Sequence, residues 1–117
     1  MTGITLTLED GTVLHRIKAI APIKEYSLDI VAVNAGELGG WIEHEGNLSQ
    51  SGNCWVFDNA KVYGNARVTQ HAWIKDNAVI KDNAHIYEWA TVCFDGIVGG
   101  NVKMGGAGYF AGEVNKQ

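Results

Sequence analysis

The chain has one proline, two cysteines and four histidines among its 117 residues, and its Asp and Glu outnumber its Lys and Arg by thirteen to nine. A single Pro22 excludes proline-rich linkers, and the absence of glycine at every third position excludes a collagen-like helix. Cys54 and Cys93 are too few for a disulfide-stapled scaffold, and they fall at non-equivalent places of the repeat described below. No disulfide is therefore expected, which fits a reducing compartment, and neither cysteine belongs to a zinc-ligand spacing. The net charge of −4 argues against general nucleic-acid binding, which needs a basic excess to displace counterions from phosphates. No apolar run approaches the length of about eighteen residues needed to cross a bilayer. The opening "MTGITLTLEDGTVLHRIKAI" lacks the basic region and cleavage site of a leader. The expectation is a soluble cytoplasmic protein of one domain, with no membrane partner.

What the chain does have is a six-residue rhythm. One column holds Val56, Val62, Val68, Ile74, Ile80, Ile86, Val92, Val98, Met104 and Phe110. Two residues earlier stands a mostly small column, Cys54, Ala60, Ala66, Ala72, Ala78, Ala84, Ala90, Gly96, Val102 and Gly108. Residues two apart share one side of a strand, so both columns face inward and the residue between them faces out. Asn recurs one place before the small column, at Asn53, Asn59, Asn65, Asn77, Asn83 and Asn101. Asn tolerates left-handed backbone angles, and the Gly or Asp before it (Asp58, Gly64, Asp76, Asp82) is also turn chemistry. Each six is then a short strand and a corner, and three sixes close a triangular coil. Stacked coils pair each strand in parallel with its copy about eighteen residues on, which is a parallel β-helix. A helix fails because period six drifts around its surface and β-branched residues crowd it.

The rhythm slips upstream. Ile42 and Leu48 are six apart, but Leu48 to Val56 is eight, so an irregular first coil is expected near "SQSGN". The segment "ITLTLEDGTVLHRIKAIAP" reads as two strands about the Asp10-Gly11 turn, with "YSLDIVAV" a third. The expected organisation is an N-terminal β cap over 1–40, the β-helix over 41–112, and a tail over 113–117.

Residue pairs such as Val62 with Ala66 and Ile74 with Ala78 resemble the hexapeptide-repeat, left-handed β-helix superfamily over about positions 53 to 112. The lead-in "GELGGWIEHEGNLSQSGNCWVFDNAKVYGNARV" is similar to a group of bacterial and phage-associated hexapeptide-repeat proteins. That resemblance implies a left-handed coil, a homotrimer, and a microbial or phage protein acting in the cytoplasm of a bacterial host cell. The chain departs from the family in having Phe57, Tyr63, Thr69, Lys75, Lys81 and Tyr87 just after the aliphatic column.

Acyltransferases of this superfamily take a general-base His from a loop that interrupts the coils, whereas here the sixes run unbroken from Asn53 to Gly112. No catalytic residue is assigned: His71 occupies a corner, His85 faces outward, and His15 and His44 precede the repeat. No trio of His matches the zinc site of the β-helical carbonic anhydrases, and "GGNVKMGGAG" lacks the Lys-Ser/Thr ending of a phosphate loop. Neither a metal nor a cofactor is expected.

Outward residues about eighteen apart form three ladders: Trp55, Trp73, Thr91, Tyr109; then Lys61, Val79, Ile97; then Arg67, His85, Lys103. The first two are too apolar for water, so Trp55, Trp73, Tyr109, Val79 and Ile97 are expected at the interfaces of a homo-oligomer, a trimer by the resemblance. The third stacks three potential cations, with Thr69 and Tyr87 next along the same strands. It is either a solvated face or an anion pocket in which Arg67 forks onto a phosphate or carboxylate and an aromatic stacks on a base.

Three functions remain open. One is a non-catalytic binding protein holding a small anionic, nucleotide-like ligand between subunits. In a phage, such a protein would sequester a host immune signalling nucleotide. The others are a structural or protein-binding module, and an acyl- or nucleotidyl-transferase relative using CoA or a sugar nucleotide.

Overall fold

The computed structural model describes residues 2–24 and 31–116, and the six-residue rhythm becomes a rhythm of very short strands. The N-terminal part holds β1 (Thr5–Thr7), β2 (Val13–Lys18), β3 (Ile23–Lys24), β4 (Val31–Val33) and β5 (Leu38–Ile42), then a single 3-10 turn at Glu45–Asn47. The repeat follows as β6 (Trp55–Val56), β7 (Lys61–Val62), β8 (Arg67–Val68), β9 (Trp73–Ile74), β10 (Val79–Ile80), β11 (His85–Ile86) and β12 (Thr91–Val92). Above these come β13 (Ile97–Gly100), β14 (Lys103–Met104), β15 (Tyr109–Phe110) and β16 (Glu113–Lys116).

Parallel pairing sorts these strands into three walls. Wall one is β5-β7-β10-β13-β16, extended below by β2 and β1; wall two is β8-β11-β14; wall three is β6-β9-β12-β15. Lys61 lies opposite Val79, His85 opposite Arg67 and Thr91 opposite Trp73, a register of eighteen residues. The chain is a parallel β-solenoid of about four turns, all β as the periodicity predicts. Val62, Val68, Ile74, Ile80, Ile86, Val92 and the Ala column between them are fully or almost fully buried in one core.

The corners differ from expectation in one respect. The left-handed residue is not the Asn but the one before it: Asp58, Gln70, Asp76, Asp82, Glu88 and Phe94 have φ between 54° and 60°, with Gly64, Gly100 and Gly106 at equivalent places. The corner then closes as a turn in which the Ala amide returns to the carbonyl three residues earlier, as from Ala60 to Phe57 at 3.0 Å. The Asn side chains have another use, described below.

The first coil slips as expected, since Ile42 pairs with Val62 and Leu48 bridges to Val68, both twenty residues apart. Side chains of Glu43, His44 and Asn47 fasten this coil to the next, Glu43 by accepting from the Gly64 amide at 2.8 Å. Buried Asn47 accepts from the amides of Glu43 and His44 (2.9 Å each) and donates to the carbonyls of Gly64 (3.2 Å) and Ala66 (2.8 Å). His44 accepts from the Gly46 amide at Nδ1 (3.1 Å), so Nε2 carries the proton that it donates to the Gly64 carbonyl (2.8 Å). Both ring nitrogens of His44 therefore serve the fold. The "LGG" of β5 has a steric origin: a Cβ on Gly40 would lie 2.5 Å from the Ala60 carbonyl oxygen, and one on Gly39 would lie 2.6 Å from the Trp55 ring.

β1 and β2 form the antiparallel hairpin expected about Asp10-Gly11, and β2 runs antiparallel to β5. Ile17, Ala19 and Val33 join the core of the coils, so the N-terminal strands close the lower end of their own solenoid. Of the third expected strand, Val31–Val33 forms β4, while residues 26–30 lie outside the described residues. The coil itself begins earlier than residue 41, because β5 starts at Leu38. Residues 113–116 are not a tail. They form β16, parallel to β13, with Val114 opposite Val98. The corner after Phe110 is two residues shorter than the others, so the count in sixes passes over this strand.

Candidate anion-binding wall

Wall two carries the expected basic ladder. β8, β11 and β14 hold Arg67, His85 and Lys103 in direct register, with successive layers about 4.8 Å apart. Arg67 and Lys103 are exposed and His85 is half-buried. The Thr69 hydroxyl lies 2.8 Å from His85 Nε2, and the Tyr87 ring lies 4.9 Å from the imidazole at 39°. Arg67, His85, Lys103, Thr69 and Tyr87 thus share one face.

Their charges are not alike. Burial, and then the neighbouring Arg67 and Lys103, hold the His85 imidazole below its ordinary pKa of 6.5. At neutral pH the middle rung is therefore a mostly uncharged, hydrogen-bonding ring between Arg67 and Lys103, not a third cation.

Two features of this wall go beyond the roles that the sequence pattern suggests. Asn65 donates to Asn83 (3.2 Å) and Asn83 to Asn101 (3.1 Å), an amide ladder alongside the basic one. The Asn column that suits turns thus also links side chains from coil to coil. Tyr87 also leans over Gly105, where a Cβ would lie 2.5 Å from the tyrosine ring. A side chain at 105 would collide with this ring and with the Glu88 carboxylate.

The five residues expected at interfaces fall on two walls. Val79 and Ile97 are half-buried on wall one, and Tyr109 is 82% exposed on wall three. Trp73 is half-buried, donates from Nε1 to the Asn53 carbonyl (2.8 Å), and meets the edge of Phe57 at 5.1 Å. Trp55 contradicts the expectation: it is only 6% exposed and belongs to the core of its own chain, because the N-terminal segment covers it. Phe94, 67% exposed, adds apolar surface at a wall-three corner.

Elsewhere, the His71 ring pairs with the Asn53 side chain and stacks on Trp89. Cys54 and Cys93 are free, buried thiols, and burial pushes the Cys54 thiol up to about 11. A groove of about 520 Å³ opens at the foot of the solenoid between Ile17, Ala19, Pro22, Leu48, Cys54 and Trp55. Among the described residues no cluster of three or more His, Cys, Asp or Glu side chains is gathered for a metal ion. No helix among them is long and apolar enough to cross a membrane.

The fold and this wall define a β-solenoid with a basic ladder on one face. No family model matches the chain, and no curated protein matches it.

Proposed function

We propose that the protein is a non-catalytic, oligomeric binding protein of the hexapeptide-repeat kind, holding a small anionic ligand against wall two. The observation that carries this reading is the register of Arg67, His85 and Lys103 on one flat face. A phosphate or carboxylate over His85 would draw the Arg67 fork from one side and the Lys103 ammonium from the other, relieving the repulsion between them. Tyr87 offers a ring against which a base could stack, which makes a nucleotide the favoured ligand. Binding is favoured over acyl or nucleotidyl transfer for two reasons. The strands of the repeat follow one another from β6 to β15 without a loop excursion, and the only imidazole on the face already has one nitrogen against Thr69.

The half-buried Val79 and Ile97, with exposed Tyr109 and Phe94, support self-association, with a homotrimer the first expectation. In a phage this would be a sequestering protein for a host signalling nucleotide. Native mass spectrometry of protein purified from cells tests both parts. A trimer carrying a releasable small anion, lost in Arg67→Ala, is the expected result. A clean oligomer without any adduct, and no saturable binding of nucleotides added afterwards, would leave the exposed aromatics of wall three as the better guide. The second reading, a module that docks on another protein, would then follow.

A further inference from the structure

We propose that anion binding on wall two is coupled to uptake of a proton by His85, so that the site loads as the pH falls and releases as it rises. This rests on the anion-site reading above and adds a control to it.

The geometry makes His85 the responsive member. It is the middle rung, with Arg67 of β8 in register on one side and Lys103 of β14 on the other. Burial of the ring, and then those two cations, oppose a charge on it. Just past the end of its own strand, the neighbouring ring is Tyr87. The corner carboxylates at the two ends of this strand, Asp82 and Glu88, accept from the Gly100 (2.8 Å) and Gly106 (2.7 Å) amides and are thereby directed to the layer above. An anion seated across Arg67 and Lys103 reverses the field at the ring: it offsets both cations and sits beside the imidazole. The protonated ring then gains an attractive partner in place of two repulsive ones.

Thr69 lets the ring accept this change without a lost hydrogen bond. Its hydroxyl donates to Nε2 when that nitrogen is bare and accepts from it when that nitrogen carries hydrogen, so the 2.8 Å contact fits both charge states. A carboxylate at that place would have favoured the charged ring, and a carbonyl would have favoured one tautomer.

The sign follows from linkage. The free protein has the His85 pKa below its ordinary value, and the bound protein has it raised. Between those two values binding takes up a proton, so affinity increases as the pH falls, by up to about tenfold for each pH unit with a single proton. Outside that window affinity is flat.

Sulfate is the suitable probe because it keeps both charges over the range of about pH 5 to 8 in which an imidazole titrates. The His85 ring signals would be followed by NMR against pH, with sulfate and with sodium chloride at equal ionic strength. Sulfate should raise the His85 midpoint above that in chloride, and sulfate affinity should climb towards acid. In His85→Gln the pH dependence of whatever sulfate affinity remains should be lost. Saturable sulfate binding at the Arg67 and Lys103 signals with an unmoved His85 midpoint would overturn the coupling while leaving the anion site standing. No saturable binding at any pH would overturn both. Nucleoside monophosphate run beside sulfate at one pH separates a bare-anion site from one that also holds a base, since only the nucleotide should perturb the Tyr87 ring. The wild-type titration alone decides the coupling if the variant does not fold.

Discussion

At the scale of single residues, the same place in the six-residue unit does different work according to what lies one coil away. Cys54 occupies the small column, where most coils have Ala, and its thiol lies 3.3 Å from the Ser49 carbonyl. Burial lifts its pKa from 9.0 to about 11, so at neutral pH the thiolate is about a hundredfold scarcer than for an ordinary thiol. Native protein should resist alkylation at Cys54 and label only in denaturant, which mass spectrometry after iodoacetamide would read. Rapid native labelling would contradict its burial. The same shift makes stability fall as the pH climbs from 9 towards 11, because the unfolded thiol ionises first. His85 shows the limit of a sequence at this scale. Its place on the ladder is legible from spacing, but its charge depends first on the burial of the ring and then on Arg67 and Lys103 eighteen residues away on either side.

At the scale of the element, the corner is the unit that needed explaining, because six non-glycine residues there hold left-handed angles at a cost of about 1–2 kcal/mol each. Their side chains offset part of that cost. Asp76 accepts from the Phe94 amide and Asp82 from the Gly100 amide (2.8 Å each), and Gln70 accepts from the Glu88 amide (2.7 Å). Each acceptor thus satisfies the backbone N–H of the corner directly above, which explains Asp, Glu and Gln where backbone geometry alone would favour Gly. Asp82→Ala should lower the urea unfolding free energy by about 1–2 kcal/mol, and Asp82→Asn should retain most of it. Equal losses in both variants would point to the charge and not to the hydrogen bond. The acidic column is visible in the sequence, but its partner is not, since that amide belongs to the next coil.

At the scale of the molecule, burial is uneven along the solenoid axis. Ile80 and Ile86 in the middle are fully buried, whereas Met104 and Phe110 in the highest coil are only partly so. The amides of Val79 and His85 are bonded to the carbonyls of Gly96 (2.8 Å) and Val102 (2.9 Å) in the coil above. Hydrogen exchange should accordingly be slowest at Val79 and His85 and fastest in β14 and β15, with the core opening from the top downward. Uniform protection along the axis would instead mean that the molecule opens only as a whole. Ile80→Ala, emptying the middle of the stack, should cost about 2–5 kcal/mol.

The period of six, the inward columns and the identity of the three outward ladders were determined by the sequence alone. They follow from the alternation of side chains along a strand and from equal coil lengths, both of which are local and repeated. The two slips behave differently. The longer corner before Val56 could be counted, since regular sixes lie on both sides of it. The shorter one after Phe110 could not, because only β16 follows it. Tertiary structure decided that Trp55 is core and not interface, because Gly39 and the N-terminal strands fold back against the first coil. It also decided which corner residue turns left-handed and that the central rung of the basic ladder is mostly uncharged, since both depend on groups brought together only when one coil is laid on another.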